Sequence, residues 1–369
     1  MYSLHGIIFA YEAAPELKEL VEHRTSASLP FGGRYRLIDF PLSAMVGAGI
    51  SDIGVIMQRG YQSLMDHLGS GRDWNLSRRV GGLRLLPPFG YADTQDMYRS
   101  RMEALKSVYS YLKRIRQDYV ILARGDLAAN FPIDDMFRRH VESGAEVTIA
   151  CSSTPQLPLK DSSFIIPDRD GFTGGTVWDP IQQPEGYQAL EIYILSKELL
   201  LKVVEHGTVH NLFNKGDLLE VLTEGRRAKI YLYDGYVGGI TSVEAYYRRS
   251  MELLDPACRG QLFLEERPII TKERSDVSTY YDTGARSKNC LVADGCYIEG
   301  DIEDCILFRG VHVGKGSVLR GCILMQDTIV QEQAALSHVI TDKNVTISPY
   351  VTLASPRTYP ITIRKDAVI

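Results

Sequence analysis

The stretch that decides the fold is residues 4–50, LHGIIFAYEAAPELKELVEHRTSASLPFGGRYRLIDFPLSAMVGAGI. Residues 4–10 are a short apolar run that predicts a buried strand. A polar loop follows, then an expected helix around residues 16–22, then Pro30 to Phe40, PFGGRYRLIDF. A strand, a loop at its carboxyl end and a helix whose N-terminus faces that loop is how a phosphate-binding α/β domain begins. The loop itself, Tyr11-Glu12-Ala13-Ala14-Pro15-Glu16, is the wrong material for that task. It has no glycine, no Lys or Arg, and two carboxylates.

Working outward, residues 53–57 are a second strand candidate, followed by a polar helical stretch over 58–68. Residues 70–82 read as an exposed loop. A helix is expected over 97–116, with Met102, Leu105, Val108 and Leu112 spaced by three and four. Residues 119–123 form a buried strand leading into Arg124-Gly125-Asp126, and Pro132 opens another helix. Residues 147–151 are again β-rich. Strands alternating with helices predict a mostly parallel sheet covered on both faces, a Rossmann-like α/β domain. We place it at 1–254, followed by an irregular linker at 255–288.

From residue 289 the helical period disappears. Apolar residues recur every six positions: Val292 and Ile298; Leu307, Val313 and Leu319; Ile323, Ile329 and Ala335; Val339, Val345 and Val351. Glycine, Asp and Asn fall between them. A six-residue period is the signature of a parallel β-helix, expected here over 289–369. An antiparallel β-domain with coincident spacing is the alternative.

The chain has 369 residues, enough for two cores, and a net charge of −5. That balance favours neither nucleic acid nor a membrane surface as partner. No basic-then-apolar signal opens the chain, and no apolar run approaches the roughly 20 residues of a membrane span, so a cytoplasmic protein is expected. The six cysteines form no CxxC pair and read as reduced, mostly buried thiols.

Residues 30–43, PFGGRYRLIDFPLS, resemble the ADP-glucose pyrophosphorylase (glucose-1-phosphate adenylyltransferase) family, whose pattern there is PFGGKYRIIDF-x-LSN. The Gly125-Asp126 turn and the segment 237–247, VGGITSVEAYY, resemble further family motifs. The resemblance covers nearly the full length and implies a nucleotidyltransferase domain, a linker and a left-handed β-helix. It also implies a chemistry in which a phosphate oxygen of glucose 1-phosphate attacks the α-phosphorus of ATP, with Mg²⁺ held by two aspartates.

The departures fall where that chemistry is carried. The family's GGxGxRL loop lies on residues 11–17, so its three glycines are gone and its arginine is Glu16. Glycine lets backbone N–H groups reach a triphosphate. Exchanging Arg for Glu reverses a contact worth roughly 4 kcal/mol at 4 Å and an effective dielectric of 20. The phosphate-facing lysine of RAKP is Ser26, and the family's Y-x-G-T-A falls on residues 98–102, Tyr-Arg-Ser-Arg-Met. Of the two metal aspartates, Asp126 matches the first and Gly239 stands at the second. The sugar-binding EKP resembles Trp178-Asp179-Pro180, without its Glu and Lys.

These departures resemble the non-catalytic, GlgD-type subunit that pairs with a catalytic GlgC-type subunit. What that implies is a regulatory role in a mixed tetramer making ADP-glucose for glycogen, with no cofactor of its own. In the family the basic residue of PFGGK contributes to an effector site for sugar phosphates or nucleotides. Arg34 occupies it here, and Arg36 is a second candidate; each is otherwise an ordinary ion-paired arginine. Asp126 is a remnant of a metal and nucleotide site. The alternatives are an active adenylyltransferase that needs Mg²⁺ and a hexapeptide-repeat acyltransferase using His312 or His338. The arginines between Arg72 and Arg84 read as a solvated loop or subunit contact, Tyr246-Tyr247 as packing, and Glu103 has no assignable role. A homo-oligomer of the isolated chain is compatible with the heteromeric role.

Overall fold

The apolar run forms strand β1 (Leu4–Phe9), buried from His5 onward. The structure is a computed structural model describing residues 3–11, 15–88, 98, 100–160, 162–210 and 217–369. The chain makes two compact units, each drawn from several segments. The first takes residues 1–12, 38–239 and 264–270; the second takes 13–37, 240–263 and 271–369.

In the first unit β1 is followed by β2 (Asp52–Ile56), β3 (Gly82–Leu86), β4 (Tyr119–Arg124), β5 (Leu127–Ala128) and β6 (Val147–Ser152). Then come β7 (Ser163–Pro167), β8 (Thr173–Trp178), β9 (Tyr187–Ser196), β10 (Ala228–Leu232) and β11 (Gly238–Gly239). The main sheet has nine strands in the order β8-β7-β9-β4-β1-β2-β3, with β6 also on β9 and β10 on β6. Strands β4, β1, β2 and β3 run parallel. Strand β9 enters antiparallel to both β4 and β6. Its carboxyl-end geometry makes the rim of β1 and β4 the place where such a sheet takes ligands. Apart from this sheet, β5 and β11 pair antiparallel, with Gly239 opposite Leu127.

Two local expectations are corrected here. The helix over 97–116 is two helices, α1 (Arg101–Ser107) and α2 (Tyr109–Arg114), parted at Val108, whose ψ of 16° leaves the helical region. Met97 lies outside the described residues. The four apolar side chains of the pattern nevertheless share one core. The stretch 70–82 is not simply exposed, because Trp74 and Leu76 are buried and the Trp74 indole N–H donates to the Ile270 carbonyl at 3.2 Å.

The second unit is the left-handed β-helix of the hexapeptide type. Three parallel sheets of five short strands form its sides, and each strand pairs with the equivalent strand one coil away. The first coil begins at Tyr280–Tyr281, inside the expected linker, and that linker also holds the helix α4 (Pro256–Leu262) capped by Asp255. The preceding helix of this unit is α3 (Val243–Glu252). One of the sequence blocks is out of phase by a residue. Leu324, Val330 and Leu336 enter the core, whereas Ile329 is 44% exposed. The neighbouring block was legible because Leu307, Val313 and Leu319 do point inward. The side bearing Ile306, Ile323 and Ile340 is buried on both faces. Segments of the same unit cover it, with Thr362 donating to Glu19 and the Tyr247 hydroxyl donating to the Gly321 carbonyl at 2.8 Å.

The expected helix over 16–22 is a 3₁₀ segment, Pro15–Val21, broken at Lys18 (φ 48°). Its buried residues, Leu17 and Leu20, lie on either side of that break. Among the described residues no helix is long and apolar enough to cross a membrane, and all six cysteines are free thiols.

Candidate functional site

At the carboxyl end of β1 and β4 the chain places side chains where a ligand would enter. Tyr11 is buried, its hydroxyl donating to the Ser100 carbonyl at 3.3 Å and its ring set edge-on to Phe9 and Tyr98. Ser100 caps α1 by accepting from the Glu103 amide, and so fixes the start of the helix that carries Arg101. The Arg101 guanidinium lies over the Phe9 ring.

Beside them is a closed charge network. Arg124, the last residue of β4, donates through Nε to Asp126 Oδ1 at 2.7 Å and through Nη2 to Oδ2 at 3.2 Å. Its Nη1 reaches Glu191 Oε2 at 3.0 Å, and Arg101 donates to the same oxygen. Glu191 holds a left-handed backbone (φ 60°) within β9, at the register shift between Ala189 and Tyr193. That conformation costs a non-glycine residue about 1–2 kcal/mol, set against two charge-assisted contacts. Burial pushes the Glu191 carboxyl up, but Arg101 and Arg124 outweigh it and hold it below the usual range.

A divalent cation does not fit this arrangement. Asp126 is buried and both of its oxygens are taken by one guanidinium. Across the β5–β11 pair, Gly239 supplies no ligand atom, and its missing side chain is not an open space. A Cβ built there would meet Leu157 Cδ2 at 2.1 Å. The Leu157 backbone is held by the Gln188 side chain, which accepts from the amides of Gln156 and Leu157 and donates to the Leu157 carbonyl. Among the described residues no three His, Cys, Asp or Glu side chains come together as a cation would need.

The second unit has basic groups of a different kind. Arg24 is buried and donates to both oxygens of buried Asp342 at 2.7 and 2.8 Å. Next to Asp342 stands Lys343, pushed down to about 7 by burial and then by the charges of Arg36 and Arg24, against the pull of Asp342; Lys365 adds to the shift. Arg36 is therefore placed among cations. Arg34, the first candidate, lies half-exposed at 3.6 Å from Asp294. It belongs to another group with Arg274, Asp276 and Arg309, and Arg309 is buried with Nε and Nη2 lacking hydrogen-bond partners.

The other sequence candidates disperse. Glu12, Ala13, Ala14 and Arg99 lie outside the described residues. Glu16 sits exposed in the 3₁₀ segment and Ser26 is buried in a 3₁₀ turn, both in the second unit, whereas Tyr11 is in the first. Trp178, partly exposed, ends β8, and Asp179-Pro180 follow it. His312 is exposed and stacked on Tyr297 at 4.8 Å between ring centres. His338 faces the Ser355 carbonyl through Nδ1. Tyr246 and Tyr247 do pack, each donating its hydroxyl to a backbone carbonyl. The sequence marks Arg101 within the bulky stretch 98–102, but sequence reading missed Arg124, Glu191 and Leu157 as residues that fill the pocket. It also missed the pairing of Arg24 with Asp342.

A strand-and-helix unit with a ligand rim, joined in sequence to a hexapeptide β-helix, defines the class. The chain belongs to the nucleotidyl transferase family, whose signature spans residues 6–252, and residues 277–355 match the GlmU-like C-terminal hexapeptide domain. Within that class it is 34% identical to the glycogen biosynthesis protein GlgD of Bacillus subtilis, over 98% of this chain and 96% of that protein. The GlgD of Geobacillus stearothermophilus is also 34% identical, over 85% of this chain and 82% of the relative. A glucose-1-phosphate adenylyltransferase of Clostridium perfringens is 27% identical over 88% and 85%.

Proposed function

We propose that this chain is a regulatory, non-catalytic subunit of a heteromeric ADP-glucose pyrophosphorylase, working in the cytoplasm beside a catalytic GlgC-type subunit. Its task is to change that subunit's handling of ATP and glucose 1-phosphate in the supply of ADP-glucose for glycogen. The observation that carries this reading is the engagement of Asp126 by Arg124. Nucleotidyl transfer depends on positioning and on neutralising phosphate charge with a cation. A carboxylate already neutralised by a guanidinium has little to offer a metal. The names of the GlgD relatives support a place in glycogen biosynthesis.

The regulatory half of the reading is supported by the basic groups of the second unit. Arg36, Lys343 and Lys365, with Arg24 beside them, suit a sugar phosphate or nucleotide effector. Of the two sequence candidates Arg36 stands in the more strongly cationic setting, and Arg34 with Arg309 offers a second anion-seeking group. Coupling between effector and substrate sites is typically worth about 1–3 kcal/mol.

Pyrophosphate release from ATP and glucose 1-phosphate with Mg²⁺ tests the proposal. The assay is run with this chain alone, with the catalytic subunit from the same cell, and with the two mixed. The expected outcome is no release alone and an altered rate or effector response in the mixture. Release by this chain alone, lost in Asp126→Asn, would make it an enzyme instead.

A further inference from the structure

The pocket of the first unit has not merely lost groups; other groups have taken their room. We propose that the chain is its own occupant there. The Arg124 guanidinium stands as the resident cation between Asp126 and Glu191, and Leu157 is a wedge filling the volume of a side chain at position 239. The inference rests on the non-catalytic reading of the same pocket and gives it a physical cause.

Three observations carry it. The first is the neutralisation of Asp126, whose two oxygens each accept from Arg124 at 2.7 and 3.2 Å while the same guanidinium reaches Glu191 at 3.0 Å. A guanidinium so placed supplies positive charge and fixed geometry together. The second is the backbone of Glu191, which accepts a left-handed conformation and so puts a carboxylate between Arg101 and Arg124. The third is the 2.1 Å approach of Leu157 Cδ2 to a Cβ at position 239, a separation at which something must move. The Leu157 side chain can turn about its own bonds, but the backbone that carries it is held. Gln188, fully buried, binds its amide and its carbonyl, and Gln156 ties the same loop to Gly235 and Val237. This loop is stitched from both ends.

It follows that returning a carboxylate to position 239 is not enough to restore cation binding. Room must be made and Arg124 removed at the same time. The test is Mn²⁺ binding to the full chain alone, by electron paramagnetic resonance and calorimetry. The series is wild type, Gly239→Asp, and the triple variant Arg124→Ala, Leu157→Ala, Gly239→Asp, each with and without Asp126→Asn.

The wild type and Gly239→Asp are expected to show no Mn²⁺ binding that Asp126→Asn removes. The triple variant is expected to bind at least ~10-fold tighter than either, roughly 1.4 kcal/mol, and to lose that binding with Asp126→Asn. Asp126-dependent binding by the wild type or by Gly239→Asp overturns the proposal. So does a folded triple variant that binds no Mn²⁺.

A methyl-group cycle tests the wedge without any metal, and serves where the triple variant does not fold. Gly239→Ala is made in the wild type and in Leu157→Ala. The alanine is expected to lower the melting temperature by about 5 °C beside Leu157 and by far less beside Ala. Equal losses in the two backgrounds overturn the wedge. No partner subunit enters these measurements. Their failure leaves the regulatory reading to the mixed assay; a mixture that behaves as the catalytic subunit alone leaves the occupied pocket standing, whereas Asp126-dependent release by this chain alone overturns both.

Discussion

The two units carry arginines of similar burial that do opposite things. In the first unit Arg101 and Arg124 face Asp126 and Glu191, two cations against two carboxylates, with every side chain at most 13% exposed. In the second unit Arg24 closes on Asp342, whereas neighbouring Lys343 feels the charges of Arg36, Arg24 and Lys365, with Lys365 itself 3.5 Å from Asp366. Charges that close on one another leave little field for a ligand, whereas neighbouring cations that repel one another favour an anion. The comparison teaches that residue type alone does not mark a binding site; the local balance of charge does.

The largest expected effect comes from breaking the buried Arg24–Asp342 pair. Asp342→Ala leaves Arg24 buried without its carboxylate, which typically costs about 3–5 kcal/mol. Thermal unfolding is expected to fall by about 10 °C. A loss within 2 °C would mean that Arg24 finds water or another partner, and the contrast between the units would weaken.

Opening the closed network comes next. Glu191→Gln removes the charge that Arg101 and Arg124 share, with an expected loss of about 3 kcal/mol. Glu191→Gly removes the same charge but relieves the left-handed backbone, so its loss is expected to be about 1 kcal/mol smaller. Both variants should show a melting temperature raised by pyrophosphate, whereas the wild type should not. If pyrophosphate stabilises the wild type equally, the network is not closed.

How much of this was legible differs by level. The strand at residues 4–10, the strand into Asp126 and the hexapeptide period are local patterns, and the structure realises each with small shifts. The phase slip at Ile329 was not legible because Ile323-Leu324 and Ile329-Val330 offer two adjacent apolar residues, and only the fold chooses which enters the core. The closed network was not legible for another reason. Arg124 and Glu191 are 67 residues apart, Arg101 and Glu191 90, and Arg24 and Asp342 318. No local pattern marks such pairs. Glu191 carries no sign of its left-handed backbone, and Leu157 reads as an ordinary residue between prolines. The absences at positions 11–17 and 239 were visible, but what replaced them was not.

A smaller effect sharpens the comparison through pH. Between about 7 and the ordinary lysine value of 10.5 the unfolded chain holds a proton that folded Lys343 has lost. Stability from this group therefore rises with pH across that window, and the penalty is complete below about 7, where the folded chain is also charged. An anion favours the charged form. Sulfate, whose charge is constant here, is expected to bind up to ~10-fold more tightly at pH 6.5 than at 8.5, with uptake of a proton. Lys343→Met should abolish the pH dependence, and Arg36→Ala should weaken binding at both pH values. Sulfate affinity that ignores pH would remove Lys343 from the site.

The smallest effect sets the scale for the rest. Tyr247 donates to the Gly321 carbonyl at 2.8 Å inside the second unit, and no charge depends on that contact. Tyr247→Phe deletes the hydroxyl and leaves one carbonyl short of a partner, for a loss of about 1 kcal/mol, or about 3 °C in melting temperature. Sulfate affinity and its pH dependence should not change. The ratio to Asp342→Ala is the informative quantity. Both variants remove a buried partner, but only one strands a full charge, so a threefold or greater difference is what the argument from charge balance requires. Equal losses would mean that packing, not charge, governs this unit, and the contrast between a closed network and an open one would lose its physical basis.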